Sequence, residues 1–220
     1  MDAIFSKKIL IIVSHADDAE LSAGGTIAKF IREGHEVFVN IVTASDYTSY
    51  NGEILRDKYE SEIEGINGLK KLGVKEYKIK NLGFETKKVP FDSRLIEIVN
   101  RSIDTIKPNL IITQHLSSSH QDHVNTAKSV MAAARYQKNV FMFEPTYPDK
   151  MHNVPFHPII YVNISDTFNL KLESLKEHTS QYKKYPYWDT LITSLAQLRG
   201  IENKCLYAEC FEPIKMEYII

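Results

Sequence analysis

What this chain has little of already narrows its chemistry. Its two cysteines, Cys205 and Cys210, stand in no metal-type spacing and read as buried or half-buried thiols in a reducing compartment. Neither sign of charge is in excess. Lys+Arg 27 against Asp+Glu 28 leaves a net charge of -1, which removes the electrostatic argument for nucleic acid or an anionic membrane as partner. No apolar run is long enough for a secretion-signal core or a membrane span, and the first eight residues lead straight into a strand-length run, so the expected location is cytoplasmic. Neither G-x-G-x-x-G nor G-K-[ST] occurs, so Gly24-Gly25 is a poor phosphate loop and better suited to letting a helix start pack closely. Repeats, low-complexity tracts and linkers are absent as well. A hydrophobic content of 43% over 220 residues is enough for one sizeable core, and a single domain over residues 1–220 is expected.

What is present is a strict alternation of short β-rich runs and longer helical ones. Residues 8–13 read as a fully buried strand, followed by a helix over 21–33 with Gly34 as its stop. A strand over 37–42 and a polar loop to residue 52 precede a helix over 56–72. That helix carries Ile63, Ile66, Leu69 and Leu72 at helical spacing. A short strand at 77–79, a helix marked by Leu95, Ile98, Val99 and Ile103, and a strand at 110–113 come next. A helix over 124–136 and a strand at 140–143 close the alternating part. Beyond Glu144 prolines interrupt a loop holding His152 and His157, both expected at the surface. A strand at 159–162 leads to a helix capped by Ser165 or Asp166 and running to about 178, then a helix over 191–199 and an extended stretch over 204–211. The expected fold class is α/β, Rossmann-like, with a mainly parallel sheet, helices on both faces and a C-terminal extension.

Two strands in this pattern end in chemistry. His15-Ala16-Asp17-Asp18 follows the run 9–13, and His120-Gln121-Asp122-His123 follows the run 110–113. In an open parallel sheet the carboxyl edge is where ligands bind. Two imidazoles and a carboxylate meeting there would form a catalytic site of the zinc type, with one coordination position open. His15 and Asp18 can share one ion, leaving Asp17 to act as general base on metal-bound water. The bland alternative is an Asp-rich cap on the following helix. Of His120 and His123, one can ligate while the other stabilises a tetrahedral oxyanion. Asp122 can cap the helix or orient an imidazole from behind it. Zn2+ is the expected ion, and the ligand types suit Fe2+ as well. His115 and Ser117 to Ser119 either line the pocket or form an ordinary polar loop.

The run from His15 to Ile27 resembles the opening signature of the PIG-L/LmbE-like family of zinc-dependent N-acetyl-sugar deacetylases, and His120-Gln121-Asp122-His123-Val124 resembles its second metal motif. Residues 171–181, ending Glu177-His178-Thr179-Ser180-Gln181, look like its basic helix. Arg199-Gly200 and Ala208-Glu209-Cys210-Phe211 look like its C-terminal elements. The resemblance implies His15, Asp18 and His123 as metal ligands, Asp17 as general base, His120 as the oxyanion-stabilising imidazole and Arg56 as a substrate-facing residue. The plain alternative for Arg56 is an exposed residue opening a helix. His178 either braces the site or is an ordinary helix-end histidine. Two departures stand out: Ala16 occupies the family's usual proline position, which loosens the loop, and residues 81–86 lack an aspartate many relatives carry, leaving Glu85 or nothing in its place.

The implied activity is removal of the acetyl group from an N-acetylated amino sugar or its glycoconjugate, with no nucleic-acid partner, no membrane span and a possible homo-oligomer. The rival readings are a metal-dependent hydrolase of another small amide and a non-catalytic sugar-nucleotide binding module. The aromatic segment 182–188 is either a specificity wall or an oligomer contact.

Overall fold

The computed structural model describes residues 7–145 and 154–217. Its centre is β1 (Lys8–Val13), whose residues 9–13 are almost completely buried. Such an unbroken apolar run suits a strand covered on both faces. Side chains alternate across it: Ile9, Ile11 and Val13 join one apolar cluster, and Leu10 and Ile12 the other. Around it lie α1 (Asp18–Arg32), β2 (Glu36–Thr43), the hairpin β3 (Tyr47–Thr48) and β4 (Ile54–Arg56), α2 (Lys58–Lys71), β5 (Ile79–Phe84), α3 (Ser93–Ile106), β6 (Leu110–Thr113), α4 (Gln121–Ala133) and β7 (Val140–Phe143). The remainder comprises β8 (Ile160–Asn163), α5 (Phe168–Lys176), α6 (Thr179–Lys184), α7 (Trp188–Glu202) and β9 (Ala208–Lys215).

The seven-stranded sheet runs β5-β2-β1-β6-β7-β9-β8. The first five strands pair in parallel, and β9 pairs antiparallel with both β7 and β8. The chain moves outward from β1 to β2 and β5, then returns to place β6 on β1's other side. The β1/β6 boundary is thus the topological switch point, where a crevice opens at the carboxyl edge. Helices α1 and α2 cover one face, α3 and α4 the other. A third cluster, built from Leu21, Ile164, Phe168, Leu175, Trp188, Ile192 and Ala196, ties the C-terminal third to the start of α1.

Several boundaries depart from periodicity. The polar loop after β2 contains the β3/β4 hairpin, too short to carry a strand pattern. Tyr77 lies in a 3-10 turn over Glu76–Lys78, and the strand starts at Ile79. Helix α2 starts after Asp57, whose carboxylate accepts the Glu60 N–H, so Arg56 ends a strand and does not open the helix. Its buried face is Ser61, Glu64, Gly65, Gly68 and Leu69, while Ile63 is exposed, because this face carries polar and small residues toward the crevice. Thr167 stands at the N-cap of α5, not Ser165 or Asp166. The final strand starts at Ala208, later than expected, with Cys210 buried on it. His152 lies outside the described residues.

Helix α1 is broken at Ala23 (φ -139°, ψ 15°). The amides after the break have lost their helical acceptors, which is the situation of any helix N-terminus. Glu209, from β9, accepts the Gly25 N–H at 3.0 Å and the Thr26 N–H at 2.7 Å. Lys171 of α5 pairs with the same carboxylate at 2.6 Å, and both side chains are only 4% exposed. The approach is close: a Cβ on Gly25 would lie 2.7 Å from Ile164 Cδ1. The C-terminal extension therefore holds the helix that carries the first acidic motif.

Candidate metal centre and active-site cavity

The two motifs meet across the switch point. His15 leaves β1 in a short turn, Asp17 is the N-cap residue of α1, and Asp18 is the first residue of that helix. His120 is the N-cap residue of α4, with Asp122 and His123 in its first turn. His15 Nδ1 lies 3.0 Å from His123 Nε2 and 3.4 Å from Asp18 Oδ2, and His123 Nε2 lies 3.4 Å from Asp18 Oδ1. Tetrahedral donors about 2.0–2.1 Å from one ion sit about 3.3–3.4 Å apart. These three side chains therefore fit a shared metal ion. A wider set, His15, His120 and His123, also offers ligand atoms within 4.8 Å of one another.

Hydrogen bonds decide which atoms face that point. His15 Nε2 is 3.1 Å from Asp122 Oδ2, which leaves Nδ1 for the centre. His123 Nδ1 is 3.0 Å from Ser118 Oγ, which leaves Nε2. Asp18 Oδ2 accepts the His15 N–H at 2.7 Å and the Gln114 side-chain amide at 2.8 Å. Asp122 is fully buried and also accepts the Lys87 and Val89 N–H groups at 2.7 and 3.1 Å. A carboxylate so placed fixes the tautomer and the ring orientation of the imidazole before it.

Charge in this pocket is organised around a cation. Burial works against the charged form of His15, yet Asp18 and the hydrogen bond to Asp122 outweigh it and push the imidazole up to about 10. Burial likewise opposes ionisation of Asp18, but His123 and His15 hold its carboxyl well below the usual range. Carboxylates that draw a proton to His15 draw a metal ion by the same attraction. His120 differs. Burial, then the positive neighbours His15 and His123, bring it down to about 4. Its Nδ1 accepts the Asp122 N–H at 3.2 Å, so the neutral ring carries its proton on Nε2 and remains an N–H donor.

A cavity of about 430 Å³ opens over these groups, lined by His15, Asp17, Asp18, His120 and His123 among others. Arg56 also lines it and is only 3% exposed. Its guanidinium reaches Glu64 at 3.2 Å, His178 Nδ1 at 3.3 Å and Asp17 at 3.9 Å. Because arginine only donates, His178 Nδ1 accepts, and the other ring nitrogen faces Glu20 at 3.1 Å. His178 is thus a fully buried brace between α1 and Arg56. Burial raises the Glu20 carboxyl above its ordinary range, against the pull of His178. Gly68 makes room for this network, since a Cβ there would lie 2.6 Å from Glu20 Oε1.

His15, Asp17, Asp18, Arg56, His120 and His123 line this cavity, and Asp122 and His178 lie directly behind His15 and Arg56. Several others were missed. Gln114, the residue after β6, orients Asp18, and its position at a strand's carboxyl end was the available signal. Ser45, at φ 58°, accepts the Ala16 N–H at 3.0 Å. A proline at 16 could not make that bond, so the alanine gains a tether in place of a rigid ring. Glu85 is paired with Lys88 on the surface, and it is Asp46, bonded to Thr86 at 2.8 Å, that presents a carboxylate to the cavity. His115 and Ser118 line the cavity, whereas His157 sits outside the cavity lining, bonded to Glu212. From the aromatic segment, Lys184, Tyr185 and Trp188 form part of the wall. No helix among the described residues is long and apolar enough to cross a membrane.

Comparison with known proteins adds three kinds of likeness. A sequence model for the family described as PIG-L: GlcNAc-PI de-N-acetylase matches residues 10–134, more than half of the chain. Diacetylchitobiose deacetylase of Thermococcus kodakarensis is 24% identical over 92% of this chain and 81% of its own length. Among solved structures, N,N'-diacetylchitobiose deacetylase from Pyrococcus horikoshii superposes with a TM-score of 0.81 at 21% identity, covering 96% of this chain and 84% of that one. GalB, the 4-carboxy-2-hydroxymuconate hydratase from Pseudomonas putida, superposes with a TM-score of 0.82 at 16% identity over 97% and 98% of the two chains. The fold is therefore shared by proteins with different reactions.

Proposed function

The chain belongs to the PIG-L family, and from that premise we propose a metal-dependent hydrolase that removes the acetyl group from an N-acetylated amino sugar or its glycoconjugate. The observation that carries this reading is the convergence of His15 Nδ1, Asp18 and His123 Nε2 at 3.0–3.4 Å, inside a cavity also lined by Asp17 and His120. Those three residues would hold the ion, with Zn2+ first and Fe2+ second on ligand type. When bound, the ion supplies Lewis-acid polarisation of a carbonyl and a water nucleophile near neutral pH.

The chain's own residues do the rest. Asp17, free of any capping bond, takes the proton from the attacking water. The Nε2–H of His120 donates to the oxygen of the acetamide as it gains negative charge. The departing amine takes the proton that Asp17 received from the water, which restores the carboxylate. Asp122 orients His15, Ser118 orients His123, and Gln114 orients Asp18. Arg56, held by Glu64 and His178, positions Asp17 and faces the substrate.

The test is acetate release from a panel of N-acetylated amino sugars and simple amides, using metal-stripped protein with and without added Zn2+. Metal-dependent release from a sugar is the expected result. Full metal occupancy without acetate release from any panel member overturns the deacetylase assignment, and a hydration reaction like that of GalB becomes the next one to assay.

A further inference from the structure

The outer part of the cavity holds two cations that the proposed chemistry does not use. Lys87 and Lys184 both line it, from the loop after β5 and from α6. Lys184 Nζ sits 3.6 Å from the centroid of the Tyr47 ring and 4.7 Å from that of Tyr185. Lys87 Nζ lies 4.9 Å from the Tyr47 centroid and 3.4 Å from the Thr48 carbonyl oxygen. Among the described residues, neither ammonium has a carboxylate within the 4.0 Å of an ion pair. The carboxylates of the cavity are engaged elsewhere: Asp18 with His15 and His123, Asp17 opposite Arg56, and Asp46 with Thr86. An aromatic face holds an ammonium in place without neutralising it. The rim therefore presents two pre-positioned positive charges.

Lys87 carries a second signal. Its φ is 67°, in the left-handed region that a residue with a Cβ adopts only at a cost. Its backbone is locked there, donating to Asp122 Oδ2 at 2.7 Å and accepting from the Gln121 side-chain amide at 3.1 Å. Glycine would meet the backbone requirement without strain. Lysine instead projects a cation from a point tied directly to the partner of His15.

We propose that the substrate of this site carries an anionic group, a phosphate or a carboxylate on the amino sugar itself, held by Lys87 and Lys184 across Tyr47. The inference rests on the deacetylase reading and names its substrate class. With the acetamide at the metal end, the rest of the sugar extends toward the rim, where charge-assisted hydrogen bonds to the two ammoniums select the anion.

The experiment compares kcat/KM for N-acetylglucosamine, its 6-phosphate and N-acetylmuramic acid on the metal-loaded enzyme and its Lys87→Met, Lys184→Met and doubly substituted forms. Calorimetric binding of glucosamine and glucosamine 6-phosphate runs beside it. The expected wild-type preference for the phosphate or the carboxylate arm is roughly tenfold or more, shrinking as salt shortens the Debye length. It collapses in the double variant mainly through KM, and the arm that shows the preference identifies the anion. Turnover of the neutral sugar as good as that of both anionic ones, or an unchanged ratio in the double variant, overturns this inference and leaves the deacetylase reading standing. If none of these three sugars is turned over, the binding arm decides alone. Tighter binding of the phosphate, lost in the double variant, sustains the anion site, whereas equal binding of the two amines overturns it.

Discussion

Replacing Glu209 with glutamine strikes the contact that ties the C-terminal extension to α1, the helix that begins at Asp18. The wild-type carboxylate does three things at once: it caps the Gly25 and Thr26 amides at 3.0 and 2.7 Å and neutralises Lys171 at 2.6 Å. Glutamine retains one acceptor oxygen, so one amide loses its partner, and Lys171 keeps its charge at 4% exposure with no other carboxylate in reach among the described residues. Removing one member of a buried ion pair costs about 3–5 kcal/mol, and loss of a helix cap about 1 kcal/mol. The capping loss is shared with the charge loss, so about 3–5 kcal/mol is the expected total. At about 2–4 °C per kcal/mol for a domain of this size, Tm falls by ~6–20 °C. Lys171→Met should cost less, because the stranded carboxylate still accepts two amides. The double variant Glu209→Gln/Lys171→Met should melt above Glu209→Gln, since the unpaired ammonium is gone. Differential scanning calorimetry of the four proteins measures all of this. A Glu209→Gln Tm within about 2 °C of wild type, or a double variant less stable than the single one, would show that the buried pair does not hold α1 in this way.

Three further outcomes are expected. Asp17→Asn should keep stoichiometric metal while losing about 10²–10⁴ in kcat; metal loss or near wild-type turnover contradicts the base role, and elemental analysis beside kinetics reads both. Asp122→Asn leaves His15 without its carboxylate, so metal affinity should drop about 10–100-fold in chelator competition, and an unchanged affinity removes Asp122 from the metal's support. Gly68→Ala places a methyl 2.6 Å from Glu20 Oε1; a loss of about 1–3 kcal/mol in denaturant unfolding is expected, and a neutral result would show that α2 has slack there.

Much of the architecture was legible because it is local. The run 9–13 is apolar at every position and turned out buried on both faces, and the strands at 110–113 and 140–143 fell where their composition put them. Patterns failed where the buried face is not apolar. Ile63 looked like a core residue of α2 and is exposed, because Ser61, Glu64, Gly65 and Gly68 take the inner face. The β3/β4 hairpin left no signal, since strands of two and three residues are too short to alternate.

The α/β alternation, the strand ends that carry His15-Asp18 and His120-His123, and the chemical types of their side chains are all written in local sequence. Hydrophobic periodicity and ligand type are readable over a few residues, so distance along the chain did not matter to them. The tertiary structure set which nitrogen of His15 faces the centre, because Asp122 binds the other across the β1/β6 boundary. It also decided that Arg56 is buried, that Ser45 tethers Ala16, and that residues 171 and 209 hold a helix near the start of the chain. Those contacts join positions roughly thirty to two hundred residues apart, and only sheet register and helix packing bring them within hydrogen-bonding reach.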